Sequence, residues 1–173
     1  MVYDIILQKC RVRFPTHQNK GKKNGKYKNI QRVQMNYKSW FKSHGKKHKE
    51  IVDRLSHLND NELIDYFEFD NMVKKEPNFC PLYKDNKKCH DIKELNCYLC
   101  ACPNFRFDDD GFRKEENRTL FSYCNIDSKD GSQYKLDDAI HQNCVECAIP
   151  HSKSYIKKLF SRDWFKIMGA VYS

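Results

Sequence analysis

The sequence predicts a small metal-stabilised α+β protein: an irregular cysteine-rich zinc module flanked by an N-terminal helical hairpin and a C-terminal helix. Three observations predict it. Eight of the nine cysteines fall between residues 80 and 147. Apolar residues recur at three- and four-residue steps on both sides of that cluster. The cluster itself has little periodicity, and about 70 such residues bury too little apolar surface to hold a fold without a cross-link or a bound ion.

The elements follow in chain order. Residues 1–34 carry nine Lys/Arg against Asp4 alone, whereas the remaining chain carries 23 basic and 22 acidic side chains, so nearly all of the net charge of +9 belongs to this segment. Its stretch PTHQNKGKKNGKYKNIQRVQ has no helical or strand period and reads as a disordered basic tail. Lys20, Lys22, Lys23, Lys26 and Lys28, with Tyr27, are its candidate nucleic-acid contacts. Met35 is an alternative start, and with that start the charge argument for nucleic acid disappears.

Residues 36–76 read as a helical hairpin. Trp40, Phe41, His44, His48, Ile51, Val52, Leu55 and Leu58 share one face of the first helix, and Lys38, Lys42, Lys46, Lys47, Lys49 and Arg54 mostly fill the other. His44 and His48 are spaced for chelation, but Gly45, Lys46 and Lys47 between them supply no carboxylate and two repelling ammonium groups. They and His57 are expected to be surface or packing residues. Asp60 is the expected N-cap of the second helix, with Glu62 in its first turn and Leu63, Ile64 and Phe67 on its apolar face. The acidic run Asp60–Asp70 is expected to pair internally. Pro77 closes the helical region.

Residues 77–156 form the cysteine-rich module. Asp108–Gly111 predicts a turn, Thr119–Tyr123 a strand, and Asp130-Gly131 a hairpin or tight turn. After it, residues 152–168 predict one helix with Ser152 as N-cap and Tyr155, Ile156, Leu159, Phe160, Trp164 and Ile167 on the buried face.

Three knuckles carry the chemistry: FCPLYKDNKKCH (Cys80, Cys89, His90), NCYLCACPNF (Cys97, Cys100, Cys102) and NCVECAIPH (Cys144, Cys147, His151). A C-x2-C pair lets two sulfurs address one ion across a tight turn, with backbone N–H groups free to donate to the thiolates. No run of about 18 apolar residues spans a membrane. The N-terminus lacks the basic region and cleavage site of a signal peptide. The expected compartment is therefore the cytoplasm, where thiols stay reduced or bind metal. Eight thiolates match two tetrahedral zinc ions, with His90, His141 and His151 as substitutes. Cys80, Cys89, Cys97, Cys100, Cys102, Cys124, Cys144 and Cys147 are the candidate ligands, His151 competes for one position, and His90 is a further candidate. An iron–sulfur cluster is the rival cofactor, but the ferredoxin spacing is not met and a histidine at 151 suits zinc better. A thioredoxin-type pair would need a βαβ context, which is absent. Glu146 reads as a solvated knuckle residue, and no H-x-E zinc-deaminase pattern occurs.

The order Cys80, Cys89-His90, Cys97-x2-Cys100-x-Cys102-Pro103, Cys144-x2-Cys147-x2-Pro150-His151 resembles the cysteine-rich small domain of anaerobic and microaerophilic bacteria and of archaea. The resemblance covers roughly residues 77–156. It implies metal binding, with zinc as the metal, and no settled activity. Some relatives are appended to cobamide-biosynthesis enzymes, which implies an accessory module. The interval from Cys102 to Cys144 is long and Cys124 has no assigned counterpart, so the partition of ligands between ions stays open. The abundance of Lys, Asn, Ile, Tyr and Phe fits an AT-rich bacterial genome. The expected role is binding or scaffolding with an unidentified protein partner. Nucleic-acid binding through the tail and a redox or metal-transfer role are the alternatives. No nucleophile, phosphate loop or carboxylate pair points to an enzyme.

Overall fold

The computed structural model describes residues 37–108, 113–135 and 137–172. The expectations for the tail (Lys20 to Lys28 and Met35) and for the turn residues Asp109, Asp110 and Gly111 lie outside the described residues. The fold is mixed α+β, with five α-helices and two small sheets among the described residues. None of the helices is long and apolar enough to cross a membrane.

Helix α1 spans Tyr37–Arg54, and its apolar stripe forms as the spacing predicts: Phe41, His44, His48, Ile51, Val52 and Leu55 are buried. The opposite face is partly committed to internal bonds. Lys47 donates to the Asn78 carbonyl at 2.6 Å, Lys49 pairs with Asp53, and Arg54 pairs with Glu76. Gly45 sits where the chain's C-terminal end crosses α1. A Cβ there would lie 2.4 Å from Phe165 and 2.7 Å from Trp164, so the missing side chain is what lets these rings approach the helix.

Helix α2 covers Asp60–Tyr66, and its N-cap is Asn59, not Asp60. Asn59 Oδ1 accepts from the Glu62 N–H at 3.0 Å while Glu62 accepts from the Asn59 N–H at 2.8 Å. This reciprocal box satisfies two orphan donors, which Asp60 as cap could not do with the same partner. The hairpin is really three helices, because α3 (Phe69–Lys75) follows before Pro77. The acidic run pairs with the far end of the chain: Asp60 with Arg162, and Asp65 and Glu68 with Lys153.

The module contains more strand than its sequence suggests. Strand β1 (Phe105–Phe107) pairs antiparallel with β4 (Ser122–Cys124). A second sheet runs in the order β2 (Lys114–Glu115), β3 (Arg118–Leu120), β6 (Ala139–Asn143), β5 (Ser132–Lys135), with β3 and β6 parallel. The single strand expected at Thr119–Tyr123 is thus divided between two sheets. The Asp130-Gly131 turn forms, closed by the Gly131 N–H on the Ser128 carbonyl at 2.8 Å.

The expected C-terminal helix is two helices, α4 (Lys153–Leu159) and α5 (Trp164–Met168). Ser152 caps α4 as predicted. Asp163 starts α5 afresh by accepting from the N–H groups of Phe165 and Lys166, which breaks the apolar period and leaves Leu159 exposed. One hydrophobic cluster joins the two halves of the sequence. Phe67, Met72, Tyr98, Leu99, Ile156, Trp164 and Val171 all belong to it. Tyr98 and Leu99 are the two residues between Cys97 and Cys100, so the middle knuckle is driven into the core by its own side chains. Each such burial stabilises by about 1.5–3 kcal/mol.

Candidate metal centre

Three of the predicted ligands converge. Cys89 Sγ, one ring nitrogen of His90 and one of His151 lie within 4.8 Å of one another, and among the described residues they are the only set of three or more Cys, His, Asp or Glu donors that do. His90 Nδ1 lies 3.2 Å from Cys89 Sγ, and His151 Nε2 lies 3.7 Å from it. Sulfur and nitrogen ligands on one tetrahedral zinc are separated by about 3.5 Å, so the set has the right span.

The outer nitrogen of each histidine is held by a main-chain carbonyl. His151 Nδ1 is 2.9 Å from the Asn96 oxygen, and His90 Nε2 is 3.2 Å from the Cys144 oxygen. A carbonyl only accepts, so these nitrogens carry the protons. Nε2 of His151 and Nδ1 of His90 therefore present lone pairs toward the same sulfur. A single thiol proton can satisfy only one of them, whereas a cation satisfies both. Burial holds His151 down to about 4, so it is neutral at pH 7. Its backbone is clamped as well, because its carbonyl accepts from the Asn96 N–H at 3.1 Å. Asn96 is itself buried, with its side chain donating to the Ile64 carbonyl and accepting from the Tyr98 N–H.

The thiols of Cys80 and Cys97 adjoin Cys89. Burial pushes Cys89 and Cys97 up to about 12, and the neighbouring sulfurs add to this, because several thiolates cannot share a dry site without a cation. The Tyr83 hydroxyl faces Cys97. It is buried without a hydrogen-bond partner and is placed to donate to a thiolate there. The described cysteines are free thiols, none in a disulfide.

The remaining predicted residues divide as follows. Cys100 adjoins Tyr83 near this group. Cys102, Cys124, Cys144 and Cys147 make a separate neighbourhood around the ends of the strands. His141 stacks on Phe121 at 5.3 Å in β6, and Glu146 is exposed as expected. Sequence reading missed Asn96, whose contribution is mainly a backbone carbonyl, and Tyr83, whose position follows from the 3-10 turn Pro81–Asp85.

His44 and His48 belong to the core, not to a metal site. His48 packs against Phe67 at 4.7 Å and Tyr98 at 4.6 Å, and both of its ring nitrogens lack a hydrogen-bond partner. Burial, then His44, lowers it from 6.5 to about 3. The unfolded chain takes up a proton that the folded chain refuses. Stability is therefore complete above pH 6.5 and is lost as pH falls toward 3, by about 1.4 kcal/mol per pH unit. His48→Leu is expected to be neutral or stabilising by about 1 kcal/mol at pH 7. At pH 5 its advantage should grow by about 2 kcal/mol. Urea unfolding at both pH values reads this, and equal differences at both would show that His48 is not held neutral by the fold.

No family model matches the chain, and no curated protein or solved structure is similar to it.

Proposed function

We propose that this chain is a zinc-binding protein with a binding or scaffolding role, in which Cys89, His90 and His151 hold one ion together with a neighbouring thiol of Cys80 or Cys97. The observation that carries this reading is the pair of imidazole lone pairs aimed at one sulfur, each fixed by a carbonyl on the opposite nitrogen. The mixed S/N donor set favours zinc over an iron–sulfur cluster. The order of its ligands, which resembles that of the cysteine-rich small domain, supports the same assignment. A cation here would tie the Cys80–Cys97 segment to the start of α4, two segments distant in sequence. That is the work of a structural ion.

Elemental analysis of anaerobically purified full chain tests the reading. Colourless protein carrying zinc is expected, with about one ion fewer in the His90→Ala/His151→Ala variant. Folded wild-type protein devoid of metal, or a zinc content that the double variant leaves unchanged, would remove the assignment.

A further inference from the structure

We propose that Cys102, Cys124, Cys144 and Cys147 form a second, all-sulfur site for one thiophilic divalent cation, separate from the Cys89–His90–His151 centre. The proposal rests on the metal-binding reading above and adds a site and its ligand partition.

The strand register brings these four residues together. Strands β3 and β6 run parallel, with Thr119 opposite Ala139 and Leu120 opposite Ile140. The same alignment continues past the strand end, where the Gln142 N–H donates to Ser122 Oγ at 2.9 Å. Two residues further along each chain stand Cys124 and Cys144. On its other side Cys124 is opposite Phe105 in the β1–β4 pair. The Phe105 N–H in turn donates to the Cys102 carbonyl at 3.1 Å. Cys147 is brought back beside Cys144 by a tight turn, its N–H on the Cys144 carbonyl at 3.1 Å.

The surroundings suit thiolates. The Cys102 sulfur accepts from the backbone N–H groups of Asn104 and Phe105, the arrangement by which a knuckle offsets negative charge on sulfur. Cys102 and Ala101 both hold positive φ, at 52° and 87°. Non-glycine residues adopt this conformation at a cost of about 1 kcal/mol or more each, and here it turns the chain so that those N–H groups face the sulfur. The Ser128 hydroxyl lies 3.3 Å from Cys147 Sγ, close enough to donate to it. The sulfurs push one another's ionisation upward, which shows that they share one neighbourhood. The two sites are also linked, because the carbonyl that holds His90 belongs to Cys144.

Metal content by native mass spectrometry and elemental analysis tests this on full chain expressed with zinc. Wild type should carry two ions. Cys124→Ser/Cys147→Ser should carry one, and His90→Ala/His151→Ala should carry the other. One ion in wild type that survives Cys124→Ser/Cys147→Ser overturns the second site and leaves the first standing. No ion in wild type overturns both. Should the cysteine variant fail to fold, Co2+ titration of metal-free wild type decides. Two ions, one with the sulfur-to-cobalt charge-transfer intensity of four thiolates, support the site. A single binding phase with mixed sulfur and nitrogen character rejects it.

Discussion

Stripping the metal with a strong chelator at neutral pH should abolish the cooperative thermal transition of this protein, and returning zinc should restore it. The expected effect is the largest available to any single change. A structural zinc supplies on the order of 10 kcal/mol of folding free energy, which rivals the total stability of about 5–15 kcal/mol of an ordinary domain. The geometry explains why the loss would spread. Tyr98 and Leu99 are fully buried, and both lie between Cys97 and Cys100. Freeing those sulfurs releases two core side chains at once. Near-ultraviolet circular dichroism should therefore collapse together with the melting transition. Acid should do the same, because each ligand sulfur must shed its proton to bind. Cys89, Cys97 and Cys144 sit near 12 without a cation, so apparent affinity falls as pH falls, by about tenfold per pH unit for each proton displaced. Protein verified as metal-free that melts as before would show that packing alone sustains the fold.

The parts of this molecule legible in its sequence are those encoded locally. The face Phe41–Leu55 of α1 and the face Leu63–Phe67 of α2 follow from spacing alone, and so does the gathering of Cys97 and Cys100 by their turn. What spacing could not give depends on partners distant in sequence or on backbone atoms. The period that suggests one helix over residues 152–168 continues unbroken through Phe160 and Trp164, yet Asp163 captures two N–H groups and starts a new helix. Strands of two to five residues leave no room for alternation to register. His90 looks subordinate to His151 in the motif, but the structure gives both the same fixture, a carbonyl on the far nitrogen. A carbonyl belongs to every residue type, so no pattern of letters marks it. Cys124 lacks a counterpart in the family pattern, and only the parallel pairing of β3 with β6 indicates which thiols it accompanies.

Phe67→Ala should cost about 3–5 kcal/mol in the metal-loaded protein, a third or more of a typical domain's stability. Phe67 is fully buried at the C-cap of α2, with the rings of His48 at 4.7 Å, Tyr98 at 4.8 Å and Phe79 at 5.9 Å. It therefore touches α1, the middle knuckle and the residue before Cys80 together, and no single neighbour can move to fill its space without leaving another contact. Its carbonyl also accepts from the Cys97 N–H at 2.8 Å, so a shift of the α2 terminus is passed directly to a sulfur of the first site. Urea unfolding should show a lower midpoint with an unchanged slope. Zinc competition with a chelator should show weaker retention, an effect that a cavity isolated from the knuckle would not produce. Phe67→Leu, which keeps most of the volume, should lose about 1 kcal/mol and retain zinc as wild type does. If the alanine variant lost stability but held zinc unchanged, the helical half and the metal centre would be energetically separate units, despite the core that runs through both.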